Sequence, residues 1–291
     1  MRITGNRMID VAATTNAANQ SKAAAAANEA SSGMRVSKPS DDPEAWAAAQ
    51  RASAKKALSS GTSTALETGR ERLGVTDGAL GTIGDALSAM RELAIQGSNG
   101  SYSASDRAGL AVQVRALMAS AVGAANSKTA DGEFVLAGSR SLATPFAANG
   151  QYAGDDSARD LAITERDVAG ASITGSALTA SSGVDVLPLF DRIASALEAN
   201  DQGALQALLG DVDTAVKQVG LARSRVGGTM NVLDAAITAH ADLDLHLSTE
   251  IARAVEADVV SAASNLAKAT QALEASRAIT SHIVALVDPT K

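Results

Sequence analysis

The residues of this chain that could do chemistry are three histidines, one Ser-x-x-Lys tetrad and two aspartate pairs. His240 and His246 are six apart and His282 is remote, so no HExxH motif and no His pair at i, i+4 exists to hold zinc. Ser53-Ala54-Lys55-Lys56 has the spacing of the serine acyl-enzymes, but the Ser-Asp-Asn and Lys-Thr-Gly partners are missing and the tetrad falls in a predicted long helix. Asp41-Asp42 and Asp155-Asp156 imitate paired carboxylates for proton transfer; capping explains the first and turn formation the second. There is no cysteine, which removes disulfides, thiolate nucleophiles and thiolate metal sites. No Walker loop, GxGxxG or GxSxG occurs. These residues therefore read as ordinary helix, cap and turn positions. The expectation is no enzyme, no metal and no cofactor, with an enzyme surviving only as a site hidden in the central module.

The elements around them point the same way. Of 291 residues, 46% are hydrophobic but only 2% aromatic, and 64 are alanine. Small side chains can fill a long thin seam between helices; a broad core needs the area that aromatics supply. The formal net charge is −7 with no basic block, which excludes the electrostatic footprint of a nucleic-acid binder. No apolar run is expected to reach the ~18–20 residues that span a bilayer. The polar start, Met1 to Gln20, lacks a secretory h-region, so any export is expected to proceed without a cleaved signal.

Along the chain, 4–32 is a strong helix former by propensity, rich in alanine around Lys22, but with little to bury; it is expected to be helical only when covered. A break follows at 31–43, with Gly33 at a helix C′ position. Asp42-Pro43-Glu44 then reads as N-cap, N1 and first-turn acid, so a new helix is predicted from Pro43. Leu66, Leu73, Leu80, Leu87 and Ala94 repeat every seven residues, with Ile83 and Met90 three further on. Gly69, Gly74, Gly78, Gly81 and Gly84 each cost about 1 kcal/mol in a helix interior, and close approach of a neighbouring helix is the expected reason for them. Gly97-Ser98-Asn99-Gly100 ends this helix; Ser103 or Ser105 caps the next, which runs to about Lys128. Between 131 and 182 the period changes, with strands predicted at 133–137, 161–164 and 171–174. From Pro188 the pattern is helical again, pausing at 200–203. Leu205, Val212, Val219, Val226, Leu233, His240 and Leu247 repeat every seven. The frame then shifts to Leu245, Ala252, Val259, Leu266, Leu273, Thr280 and Val287. If unbroken, the run from Gly203 to Leu286 would extend ~126 Å at 1.5 Å per residue.

The predicted fold is mainly α: long antiparallel helices forming a coiled-coil rod with a small β-rich inserted domain. The expected divisions are 1–42, an assembly or export segment and loop; 43–130 and 185–244, the two halves of the helical rod; 131–184, the β domain; and 245–291, an assembly helix. A closed intramolecular bundle accounts for the same heptads. Against it, the weakest core-formers sit at the two termini, as expected of helices that order only within an assembly.

Ser31-Ser32-Gly33-Met34-Arg35-Val36 followed by Pro39-Ser40-Asp41-Asp42-Pro43 resembles the N-terminal signature of the flagellin superfamily. Met1-Arg2-Ile3, Gly132 to Gly138 before Thr144-Pro145-Phe146, and Gln151 to Asp155 add to the resemblance, which favours the members that join the flagellar hook to its filament. It implies a structural, non-catalytic component of the bacterial flagellum, lying outside the cell and supporting motility. Implied partners are copies of itself in a tubular assembly, a neighbouring hook-associated protein, flagellin, and the export chaperone and type III export apparatus. Neither nucleic acid nor membrane insertion is implied. The signature residues are Ser32, Gly33, Arg35, Pro39, Asp41, Asp42 and Pro43. The assembly helix would present Val259, Leu266, Leu273, Ile283 and Val287. A short flagellin is the alternative within the superfamily, although the ending Val287-Asp288-Pro289-Thr290-Lys291 lacks an apolar tail. A coiled-coil signalling or adhesin rod is the alternative outside it, and leaves the signature unexplained.

Overall fold

The computed structural model describes residues 5–163, 167–170 and 172–287; the side chains of 5, 6, 286 and 287 are outside the description. Among the described residues six α-helices dominate: α1 (Gly5–Ser32), α2 (Pro43–Ser98), α3 (Ala104–Ala125), α4 (Val186–Glu198), α5 (Gln202–Val255) and α6 (Val259–Val287). Two three-residue strands, β1 (Asp160–Ala162) and β2 (Val168–Gly170), form an antiparallel ribbon between α3 and α4. The chain divides into two compact units, one of residues 1–58 with 243–291 and one of residues 59–242.

The larger unit is organised by the heptads. Leu66, Leu73, Leu80, Leu87 and Ala94 of α2 have no exposed surface, nor do Leu205, Val212, Val226 and Leu233 of α5. Their seam is antiparallel, since Arg70 pairs with Asp234, Asp77 with Arg223 at 3.0 Å, and Arg91 with Asp213 at 2.7 Å. The strongly amphipathic α4 adds Leu187, Leu189, Phe190, Ile193 and Leu197, all fully buried in the same core. Of the helical glycines, Gly81 and Gly84 face Arg223 and Val219 of α5 as close approach requires, and Gly69 is buried. Gly74 and Gly78 have no neighbour within 4 Å of where a Cβ would stand. The expected packing reason thus applies to only part of the stripe.

Local chemistry sets the helix ends. Ser103 caps α3 in a full capping box with Asp106. Arg107, 2% exposed, closes α2 by donating from Nε to Gly97 O at 2.6 Å and from a terminal nitrogen to Asn99 O at 2.8 Å; its other nitrogen meets Asn200 Oδ1. A guanidinium at a helix C-terminus satisfies orphan carbonyls and complements the dipole. By length and hydropathy α3 alone among the described helices could cross a bilayer, an exception to the sequence expectation. Its Leu110, Ala111, Val114 and Ala121 belong to the core shared with α4.

The insert is less regular than predicted. Residues 133–137 are a turn, not a strand: one bridge joins Lys128 to Phe134, and Gly138 turns the chain at φ 69°. Val135, Leu136 and Ala137 are all buried, and their backbone bonds go to separate partners, Val135 N–H to Ser127 O and Gly175 N–H to Leu136 O. A consecutive apolar run buried on all sides resembles a strand in sequence whether or not a ladder exists. The ribbon closes where Ile163 N–H donates to Asp167 O at 2.8 Å, which puts β2 at 168–170 instead of 171–174; Thr164 and Ala171 of the predicted strands lie outside the described residues. Gln218 of α5 pins the return segment, its Nε2 donating to the carbonyls of Ala177, Thr179 and Val184 and its Oε1 accepting from Val184 N–H.

The smaller unit corrects the expectation of one long C-terminal helix. The helical run breaks at 256–258, and α6 restarts with Asp258 accepting from Val260 N–H and from the Ser261 hydroxyl, both at 3.0 Å. The heptad frame shift in the sequence marks the neighbourhood of this break.

Candidate assembly region

None of the residues first considered for chemistry is arranged for it. Ser53 is exposed, while Lys56 donates to Ser248 Oγ at 2.7 Å. His246 and His282 are exposed. His240 is bridged between Ser59 Oγ and Ile163 O, each at 2.9 Å, so the ring ties α2, α5 and the ribbon together. Asp155 accepts from Ser139 and Ser157, joining two loops, and those bonds hold its carboxyl below the usual range. Among the described residues no cluster of three His, Cys, Asp or Glu could hold a metal ion.

The signature loop, in contrast, is densely bonded. Gly33 at φ 68° ends α1 as a left-handed C′ residue, and its carbonyl accepts from Ala257 N–H at 2.9 Å. Ser32 Oγ accepts from Met34 N–H, and Arg35 and Val36 both donate their N–H to Val255 O. Arg35 spans the loop: one nitrogen pairs with Asp42 Oδ2 at 3.0 Å and another donates to Ala254 O at 2.8 Å, across 219 residues of sequence. Asp42 Oδ1 accepts from Ala45 N–H at 3.1 Å, capping α2 at Pro43. Asp41 Oδ2 gathers Ser37 N–H, Ser37 Oγ and Lys38 N–H, folding the turn at whose apex Pro39 is exposed. Beneath it Val36, 1% exposed, packs with Ala49, Val255, Trp46 and Ile251. The connection between α1 and α2 is thereby fastened to the connection between α5 and α6. Sequence reasoning located the first connection and missed the second, whose only local signals were the frame shift and Asp258 as a cap.

These bonds give the loop a pH dependence. Hydrogen bonds from Ser37 lower the Asp41 carboxyl below its ordinary 3.8, and those from Ala45 and then Arg35 lower Asp42. A carboxylate depressed in the folded state contributes stability above its unfolded value, and that contribution is lost as pH falls through the folded value. Pepsin digestion at decreasing pH should therefore open 33–42 only below about pH 3.8. Asp41→Asn should remain open to cleavage above that point. Equal resistance of the variant would refute the assignment.

Beside the loop, α1 and α6 run antiparallel. The α1 face toward α6 carries Ile9, Ala12, Asn16, Asn19, Ala23 and Ala26; the α6 face carries Ala262, Leu266, Ala269, Leu273, Ser276 and Ile283. Ser276 donates to Asn16 Oδ1 at 3.2 Å. Small residues dominate this contact around Ile9, Leu266, Leu273 and Ile283, and several other bulky residues stay outside: Val11 is 60% exposed, Ile279 60% and Met8 44%. An apolar groove of about 640 Å³ opens between Met8, Val11, Thr15, Ile279 and Ile283. Of the predicted seam, Leu266, Leu273 and Ile283 lie on the α6 stripe facing α1, while Val259 is 68% exposed at the start of α6. The Val287 side chain lies outside the described residues.

Residues 3–141 match the family model for the bacterial flagellin N-terminal helical region. Flagellar hook-associated protein 3 of Salmonella typhimurium is 30% identical over 142 residues, covering 46% of this chain and 45% of that relative. Its Escherichia coli counterpart is 27% identical over 75% of this chain and 71% of its own length. Flagellin FlaB1 of Treponema pallidum is 26% identical over 82% and 78%. The chain thus matches about half the length of the first relative and most of the other two. In fold it is similar to a solved structure from Vibrio parahaemolyticus described as a flagellar hook-associated protein. That likeness has a TM-score of 0.68 at 21% identity and covers 74% of this chain and all of the other.

Proposed function

We propose that this chain, whose residues 3–141 carry a flagellin-type N-terminal helical region, is a structural subunit of the bacterial flagellum at the junction between hook and filament. The observation that carries the reading is the α1–α6 pair: two helices whose contact is mostly small or polar residues with a few half-buried Ile and Leu, while Met8, Val11 and Ile279 stand exposed. Such a pair buries too little to be stable by itself and is completed by apolar neighbours. Tube subunits supply those neighbours by heterologous contacts, which extend from one copy to the next. Two of the relatives are hook-associated proteins, matching 46% and 75% of this chain, which favours the junction over other flagellar positions.

In this reading 1–42 and 245–291 are the assembly segments. Ser32, Gly33, Arg35, Pro39, Asp41, Asp42 and Pro43 form the signature loop, and Val259, Leu266, Leu273, Ile283 and Val287 belong to the assembly helix. Residues 43–130 and 185–244 are the helical halves and 131–184 the outward module. Its neighbours are further copies, another hook-associated protein and flagellin, reached through an export chaperone and the type III apparatus without a cleaved signal. The role is mechanical and involves no catalysis.

Deleting the gene should leave bare hooks by electron microscopy, with unpolymerised flagellin in the medium and motility lost. The match to a flagellin over 82% of the chain supports one second reading, a filament subunit. Filaments still attached but altered in shape or composition would establish that reading and overturn the first.

A further inference from the structure

We propose that Asn99 is a site of self-catalysed modification, in which its side-chain amide is converted to a carboxylate through a cyclic imide with the Gly100 nitrogen. This inference is independent of the flagellar reading. The chain has two Asn-Gly pairs, Asn99-Gly100 and Asn149-Gly150; in both the asparagine Oδ1 accepts from the N–H two residues on at 3.1 Å, but the structure treats the two glycine nitrogens oppositely.

At the first, both residues are exposed in the turn between α2 and α3, and nothing lies within 4 Å of where a Gly100 Cβ would stand. Among the described residues the Gly100 N–H has no acceptor, so the nucleophile is uncommitted. The side-chain Oδ1 accepts from Ser101 N–H at 3.1 Å, which draws electron density from the carbon to be attacked. The main-chain Asn99 oxygen accepts from Arg107 at 2.8 Å and from Tyr102 N–H at 3.3 Å. That oxygen belongs to the same amide as the Gly100 nitrogen. When the nitrogen loses its proton, the negative charge spreads onto it, and a buried guanidinium stands there to stabilise it.

At the second pair the reaction is blocked. Gly150 N–H donates to Ala147 O at 2.9 Å, the residue is buried at φ 79°, and a Cβ there would lie 2.7 Å from that of Leu187. The nitrogen is occupied and the backbone is held.

The step balances without a further reagent. The Gly100 nitrogen loses a proton to water and attacks the Asn99 Cγ. The new N–C bond closes a five-membered ring, and the old Cγ–N bond breaks as the departing nitrogen takes a proton back from water, releasing ammonia. Water then opens either ring carbonyl, giving aspartate or its isomer with the main chain routed through the side-chain carbon. In the isomer the free carboxylate is the former main-chain carbonyl, the group Arg107 already holds; the other partners of Arg107 are the Gly97 carbonyl and the Asn200 amide oxygen. A buried cation without a carboxylate partner gains one.

The test is peptide mapping by mass spectrometry of the full chain aged at neutral to mildly alkaline pH. Conversion at Asn99 should outpace that at Asn149 by at least about tenfold, the factor one charge-assisted hydrogen bond is worth. Arg107→Gln should slow Asn99 about tenfold and leave Asn149 unchanged. If that variant unfolds, Asn149 converts as fast as Asn99, which identifies the failure. Gly100→Ala then serves instead: it keeps Arg107, crowds the nucleophile and should suppress the reaction. Equal rates at the two asparagines of the folded chain would overturn the proposal, as would an Asn99 rate unaffected by Arg107→Gln.

Discussion

Replacing Phe190 with alanine should cost the 59–242 unit about 3–5 kcal/mol in urea unfolding. Phe190 is fully buried in α4 within the cluster that includes Leu187, Ile193, Leu197 and Leu205. The chain has only three phenylalanines among 291 residues, so few large side chains are at hand to refill the space. Alanine-rich helices are poor at collapsing onto a void, because their small side chains have no alternative rotamers to offer. Hydrogen exchange should show faster opening of α4 and the facing part of α5. A loss below about 1 kcal/mol would mean that Phe190 does not anchor this core.

Val36→Asp should unfasten the smaller unit while the larger keeps its stability. Val36 is 1% exposed against Ala49 and Val255, where an aspartate finds no cation positioned to meet it: Arg35 is already bonded to Asp42 and to Ala254 O. Burying an unpaired carboxylate costs several kcal/mol or forces the loop out. Limited proteolysis should then cut within 33–42 and 256–258 while fragments of 59–242 resist. Under the flagellar reading, the variant should also fail to restore motility to a deletion strain. An unchanged digestion pattern would show that Val36 does not hold the two connections together.

The elements most legible in the sequence were those fixed by local rules. Asp42-Pro43-Glu44 placed a helix start because a cap, a residue lacking N–H and an acid each satisfy the first turn. Leu66 to Ala94 and Leu205 to Leu233 declared a buried face by their spacing alone. The residues around Gly33 and Pro39 carried the resemblance to the flagellin superfamily. Less legible was the insert, where Val135-Leu136-Ala137 is buried without a ladder and the ribbon register depends on closure between Ile163 and Asp167. Arg107 and Gln218 gave no signal, because an isolated arginine or glutamine in a helix reads as solvated surface.

By itself, then, the sequence determined a mainly helical chain with weak, small-residue ends, since period, propensity and capping act over a few neighbouring residues. The tertiary structure decided where the C-terminal helix breaks, that the loop at 33–42 is tied to 254–257, and which Asn-Gly pair is open. Each of those depends on contacts between segments far apart in the chain, such as Arg35 with Ala254. No local pattern encodes which distant carbonyl or cavity a side chain will meet; only the packed chain brings them within hydrogen-bonding reach.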